Sequence, residues 1–531
     1  MNFKRNLFVI TTALVGALSL SGCDFKGLSS FKHFDFIKAD EDKHETIENV
    51  GNIKIGNYES YSVSNPQGGK ISLGSAYEVF RDYGGASHLP SEGKQKMIVV
   101  PVEFSDYTTS KLNLTNEQYI DLLNKAFFGC SKNNVYVSVG EYFNKSSYGK
   151  LSLDGKVCDK VYTFPLSVSQ IKESKLSREQ LAEIYYPKVI EWYKANYNDI
   201  ADYEIEGLKT NNNVPIYMVY TYPSETSTSG EETFFWAYTF DTFPLSWSSS
   251  SFMYLQYGEP DAHTYIHETG HLLGLTDYYP TIDISNTDKK TGNKTRKTNG
   301  DNQVPGEEEK SLVTPEPTGR IDMMDCSIGD ETSFSKMMLN WTRPTYVYDS
   351  CEVTINSFAE SGDLVLVAND WNKTVFDEYY LFEYYTPTGL NTYDVSVGNS
   401  EAKLPKVPGI KIYHVDSRLA YVSSTKAVLD YCESGRQMPS KDSHNVALAH
   451  NNNTYLKPDD FQKNYLYELI LKNESSPKGA CANDSNLFRY GDEIPILKLN
   501  RGGEINFKIS ITYSTFNQIG LKFEKVENSQ E

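Results

Sequence analysis

The run His267-Glu268-Thr269-Gly270-His271-Leu272-Leu273-Gly274-Leu275-Thr276-Asp277 constrains this chain more than any other feature. On a helix the two histidines, four apart, face the same way, so both imidazoles reach one metal ion. Glu268 then stands beside that ion as a base. The H-E-x-x-H pattern alone also suits an ordinary solvated helix, and the residues after it narrow the reading. Gly274 comes three residues after His271, and glycine at a helix C′ position adopts the left-handed conformation that turns the chain back. Asp277, three further on, becomes the candidate third ligand, with a structural aspartate after the helix as the plain alternative.

A zinc site takes three protein ligands at about 2.0–2.2 Å and keeps one position open for water. His263 is four residues before His267, but it lies about 12 Å from His271 along a helix rising 1.5 Å per residue. That is too far for one ion, so His263 reads as a helix-surface or supporting residue. A second segment, Arg320-Ile321-Asp322-Met323-Met324-Asp325-Cys326, comes some fifty residues later. Adjacent methionines alone usually mean core packing. After a zinc helix they read as the methionine turn that floors the metal in metzincin peptidases, and Met324 is the better fit.

With these blocks in place the chain resembles the immune inhibitor A family of secreted bacterial metallopeptidases. The resemblance rests on Met97-Ile98-Val99-Val100-Pro101-Val102-Glu103-Phe104-Ser105-Asp106, on Glu141-Tyr142-Phe143 with Ser146-Ser147-Tyr148-Gly149-Lys150, and on the zinc helix through Tyr278-Tyr279. It continues through the methionine turn with Phe334-Ser335-Lys336 and Leu339-Asn340-Trp341. Downstream, Glu378-Tyr379-Tyr380-Leu381-Phe382-Glu383 and Gly409-Ile410-Lys411-Ile412-Tyr413-His414-Val415-Asp416 extend it, so that it covers roughly residues 95 to 420. Two features depart from the family pattern. About forty residues are inserted between zinc helix and methionine turn, and Asp325-Cys326 stands where small residues are usual.

The first residues bear on location. Lys4 and Arg5 precede a largely apolar run from Leu7 to Leu20, fourteen residues long, which suits a signal h-region and is short for a membrane span. It ends in Leu20-Ser21-Gly22-Cys23, which resembles a bacterial lipobox whose Cys23 thiol receives diacylglycerol. The plain alternative is a secretory signal with an incidental cysteine. Two acyl chains hold a protein stably where one does not. The expected location is therefore the outer face of the cell membrane or the cell surface, with shedding left open.

A net charge of −19, from 51 basic and 70 acidic residues, disfavours nucleic acid and anionic surfaces as partners. Proteins or peptides are the expected substrates, the membrane is reached through lipid, and the sequence leaves the oligomeric state open. Six cysteines remain after Cys23: Cys130, Cys158, Cys326, Cys351, Cys432 and Cys481. Export permits disulfides, and Cys130 with Cys158 and Cys326 with Cys351 are the pairings considered, against free buried thiols.

The expected fold is a mixed α/β (α+β), metzincin-like zinc peptidase domain followed by a β-rich, sandwich-like C-terminal region. A lipoprotein signal spans 1–23, a polar tether 24–92, the catalytic domain 93–345 with an insertion at 280–319, and the β-rich domain 346–531. Strand character begins at Lys96, and helical spacing covers Asn116 to Phe128 and Arg178 to Tyr197. A strand spans Val214 to Tyr222, then the zinc helix about Asp261 to Leu273. After Pro344, short runs such as Glu352-Val353-Thr354-Ile355, Leu364-Val365-Leu366-Val367 and Ile505 to Ile511 have sandwich texture. The insertion, rich in charge and proline, reads as a surface loop or as a rim of the cleft. His414 and Asp416, two apart on one strand face, are read as a structural pair or an ion site. The 39 tyrosines suit strands more than glycan stacking.

The functional expectation is a zinc metalloendopeptidase. Zinc lowers the pKa of its bound water to about 7 and polarises the peptide carbonyl, and Glu268 takes the proton and passes it to the leaving nitrogen. Zn2+ is the cofactor expected, with a structural Ca2+ as a second candidate. Two other classes stand beside it: a surface adhesin or binding lipoprotein on an inactive peptidase scaffold, and a hydrolase using the same zinc on a non-peptide bond. The intact His267, Glu268 and His271 argue against the first.

Overall fold

The computed structural model describes residues 89–526 with internal gaps, the longest at 279–317 and 438–466, and three short strands earlier in the chain. Cys23 and the signal, most of the 24–92 tether, nearly all of the 280–319 insertion, and Cys326 and Cys481 lie outside the described residues. The fold is mixed α and β with several sheets.

The first sheet is built on β1 (Gly93–Glu103), whose apolar run from Met97 to Val102 is buried. A strand buried on both faces belongs in a parallel sheet between helices, and β1 pairs in parallel with β2 (Leu151–Val157) and β3 (Ile216–Tyr220). Beyond β3 come β5 (Leu245–Ser249), again parallel, and then β4 (Tyr238–Thr239), the antiparallel edge. The order is β2-β1-β3-β5-β4, with Tyr162–Thr163 pairing on β1.

Helices cover both faces. On one lie α1 (Asn116–Phe128), α2 (Val139–Ser146) and α4 (His263–Leu272); on the other lies α3 (Arg178–Asn196). Their starts are written locally. Thr115 with Gln118 and Ser177 with Gln180 form capping boxes, each satisfying main-chain N–H groups that a helix end leaves open. Leu181, Tyr185, Tyr186, Val189 and Tyr193 form the buried stripe of α3.

After α5 (Ser333–Met338) a second sheet begins with β6 (Thr345–Val347), which takes Asn52–Lys54 along one edge. It continues through β8 (Leu364–Val367), β9 (Glu378–Tyr385), β10 (Gly409–Asp416) and β11 (Tyr467–Ile470). Successive side chains on a strand point to opposite faces. Val365, Val367, Tyr380, Phe382, Ile410 and Ile412 accordingly pack with a small sheet of β7 (Cys351–Asn356), β13 (Gln518–Lys525) and β12 (Phe507–Ser514). The alternate residues Leu366, Leu381, Tyr413 and Leu469 join the cluster that holds the zinc-motif helix. The two sheets share this hydrophobic cluster, and the larger one is buried on its other face as well.

Two side-chain expectations are corrected. Cys158 is a buried free thiol, pushed up to about 12 by burial, and is not bonded to Cys130. His414 takes its partners across the strands, with Nε2 3.1 Å from Glu378 Oε1 and Nδ1 3.4 Å from Glu468 Oε1. Residues two apart on a strand point the same way but diverge, whereas cross-strand neighbours stand about 4.5–5.5 Å apart at Cβ, which favours Glu468 opposite His414 over Asp416.

Candidate metal centre

The helix α4 buries Tyr265, Ile266, Thr269 and Leu272 and turns His267 and His271 to its half-buried side. Its first turn is held by Asp261, whose carboxylate accepts from the His263 main-chain N–H at 3.0 Å. It ends as the sequence predicts. Gly274 has φ +94°, its N–H donates to the His271 carbonyl, and the Leu275 N–H reaches back to Gly270. This pair of bonds is a Schellman cap, which only a left-handed C′ residue closes easily.

The reversed chain brings Asp277 to the histidines. Its Oδ1 lies 3.0 Å from His267 Nε2 and 3.2 Å from His271 Nε2. Among the described residues, these three side chains are the one group close enough to share an ion, with donor atoms all within 4.8 Å of one another. His263 is not in that group. Burial pulls its pKa down to about 3, helped by His267, so it stays neutral at the helix start.

Each ring is oriented through its Nδ1. His267 Nδ1 is 2.9 Å from the Met323 carbonyl oxygen and His271 Nδ1 is 2.9 Å from that of Leu275. A carbonyl only accepts, so each Nδ1 carries a hydrogen, and each Nε2 is the atom that faces Asp277 and would ligate a metal once deprotonated. Burial opposes charge on the rings, yet Asp277 raises both and carries His271 up to about 10. Burial likewise opposes charge on Asp277, but His271 and the two ring contacts hold it well below the usual carboxylate range. Two ligands on one tetrahedral zinc at about 2.0–2.2 Å stand about 3.3–3.6 Å apart, close to the separations Asp277 makes with the rings. The three donors could hold a metal ion.

Glu268 is 5 % exposed, and burial raises its pKa above the ordinary value. Met324 is fully buried under the helix at Gly270, and its carbonyl accepts from the Tyr278 N–H at 2.8 Å. Tyr278 is a packing residue, with its hydroxyl 3.0 Å from Ser335 Oγ and its ring 5.0 Å from Tyr467. Tyr279 lies outside the described residues.

Two contributors escape sequence reasoning. Asp322 organises the turn around Met324, accepting from the N–H groups of Met324 at 2.8 Å and Thr332 at 2.7 Å and from Ser335 Oγ at 3.1 Å. Thr239, on the sheet edge, touches Glu268. Neither belongs to a motif, although an aspartate two before a turn methionine is a recognisable turn signal. Asp325 is buried and accepts from the Thr318 hydroxyl.

No family model matches the chain, and no curated protein matches it.

Proposed function

We propose that the protein is a zinc metalloendopeptidase of metzincin type. One observation carries the reading: the Nε2 atoms of His267 and His271 and Oδ1 of Asp277 converge, with each ring's other nitrogen tied to a carbonyl. Two further features support it, namely Glu268 buried next to the ligands and Met324 packed beneath them.

Bound to these ligands, zinc acidifies water and polarises a carbonyl. The chain's own part is proton handling. Glu268 takes a proton from water and returns it to the leaving amide nitrogen, a role that suits a carboxyl whose pKa burial has raised. Asp277 and the two Nδ1 hydrogen bonds keep the rings oriented throughout. The proposal puts the enzyme at the outer face of the membrane, anchored through Cys23 as the lipobox-like Leu20-Ser21-Gly22-Cys23 implies. Among the described residues no helix is long and apolar enough to cross a membrane.

The test is hydrolysis of unfolded protein by the purified full chain, stopped by chelation and restored by zinc. Glu268→Ala should lower turnover by about 10²–10⁴ while zinc stays bound. Wild-type turnover in that variant would overturn the mechanism. An intact zinc site with no peptidase activity in the wild type would favour the adhesin or the non-peptide hydrolase.

A further inference from the structure

We propose that Thr239, backed by Ser246, is the positioning residue for Glu268. Its hydroxyl clamps one carboxylate oxygen of Glu268 and leaves the other for the substrate water. The inference rests on the peptidase reading.

The antiparallel pairing of β4 with β5 sets Thr239 directly opposite Ser246, and their hydroxyl oxygens lie 2.7 Å apart. Thr239 Oγ1 is 2.8 Å from the Glu268 main-chain carbonyl oxygen and 3.1 Å from Glu268 Oε2. Ser246 Oγ is 3.4 Å from the same carbonyl oxygen. One hydroxyl therefore touches both ends of the same glutamate. A carbonyl and an ionised carboxylate only accept, so the Thr239 hydroxyl is the donor and is shared between them. Ser246 can then donate to Thr239 Oγ1, and two hydroxyls aligned in a partly buried site polarise one another.

The arrangement has a geometric consequence. A glutamate side chain has three torsions, and most of their combinations carry its carboxylate away from its own main-chain carbonyl. Tying Oε2 to the hydroxyl that also holds the carbonyl selects the few that remain. Threonine suits this task because its β-branch stiffens χ1, so the clamp is itself held in place on the strand. Oε1 has no part in the clamp, and it is the oxygen assigned to the proton transfer. Thr239 is not one of the three candidate metal ligands and acts through Glu268.

The test uses the zinc-loaded full chain and dye-labelled casein. Thr239→Val keeps the shape and removes the hydroxyl. It should lower kcat by about 10- to 100-fold, the size of a lost hydrogen bond to a charged group. KM should stay within about twofold and zinc content should match wild type, by the same reasoning that the loss is confined to the chemical step. Thr239→Ser should recover most of the loss, and Ser246→Ala should lower kcat in the same direction by less. A merely structural role would move zinc content or folded yield instead, and serine would not rescue kcat selectively. Wild-type kcat in Thr239→Val, or Thr239→Ser as impaired as Thr239→Val, overturns the proposal. If Thr239→Val does not fold, unchanged kcat in Ser246→Ala overturns it. Wild-type chain that binds zinc and cleaves nothing overturns the peptidase reading itself, a result distinct from an active wild type beside an indifferent Thr239→Val.

Discussion

Gly270 and Met324 interlock: a Cβ built on Gly270 would lie 2.4 Å from the Met324 sulfur. The glycine inside His267-Glu268-Thr269-Gly270-His271 is therefore the opening through which Met324 approaches the helix between the two histidines. Gly270→Ala should gain up to about 1 kcal/mol of helix propensity and lose about 1–3 kcal/mol by overpacking, for a net destabilisation. Displacing Met324 should also disturb Met323, whose carbonyl orients His267. Thermal melting and zinc retention after dialysis against a weak chelator read both effects; an alanine variant as stable and as zinc-replete as wild type would contradict the interlock.

Asp277 and Gly274 should fail together. Asp277→Asn keeps shape but removes the negative charge that lies about equally close to both rings, so zinc should be held more weakly. Gly274→Ala acts through the backbone, since at φ +94° an added Cβ costs about 1 kcal/mol or more and swings Asp277 off the histidines. Elemental analysis beside His271→Ala checks both. Full zinc retention by Asp277→Asn alone would move the third ligand elsewhere.

Lys336 should be indispensable to stability although it is remote from the chemistry. Its ammonium is fully buried, 2.6 Å from Asp330 Oδ2 and 2.9 Å from the Tyr148 hydroxyl, and Ser146 donates to the other Asp330 oxygen. Removing one member of such a pair leaves a buried charge without its partner, so Lys336→Met should cost about 3–5 kcal/mol. Adding Asp330→Asn should restore much of that loss. Denaturant unfolding of the single and double variants measures it, and equal stabilities of the two would refute the pairing.

His414 should make stability depend on alkaline pH. Burial opposes its charge, but hydrogen bonds to Glu378 and Glu468 hold its pKa up at about 9, against 6.5 for the free side chain. A pKa raised on folding contributes stability that is complete below about 6.5 and is lost as pH rises through about 9. The wild type should therefore lose stability across that window, and His414→Gln should flatten the profile there. Parallel profiles for the two proteins between those limits would show that the ring is not charged in the native state.

How much of this is legible in the amino-acid order depends on the reach of each contact. His267, His271, the Gly274 cap and Asp277 lie within eleven consecutive residues, so helical periodicity and one left-handed glycine bring them together without help from the rest of the chain. Asn116–Phe128 and Leu364–Val367 are likewise where the periodicity puts them. Met324 is legible only in part, because its segment carries a signal while the opening at Gly270 that admits it is a tertiary fit. Thr239 meets Glu268 across 29 residues, Lys336 meets Tyr148 across 188, and Glu378 meets His414 across 36. No local period records such encounters; they are decided when sheets and helices pack. The same reason undoes Cys130 with Cys158, since spacing between cysteines says nothing of the direction in which each side chain is buried. The sequence thus determines that His267, His271 and Asp277 meet, and the packing of the sheet edge against the helix decides which hydroxyl meets Glu268.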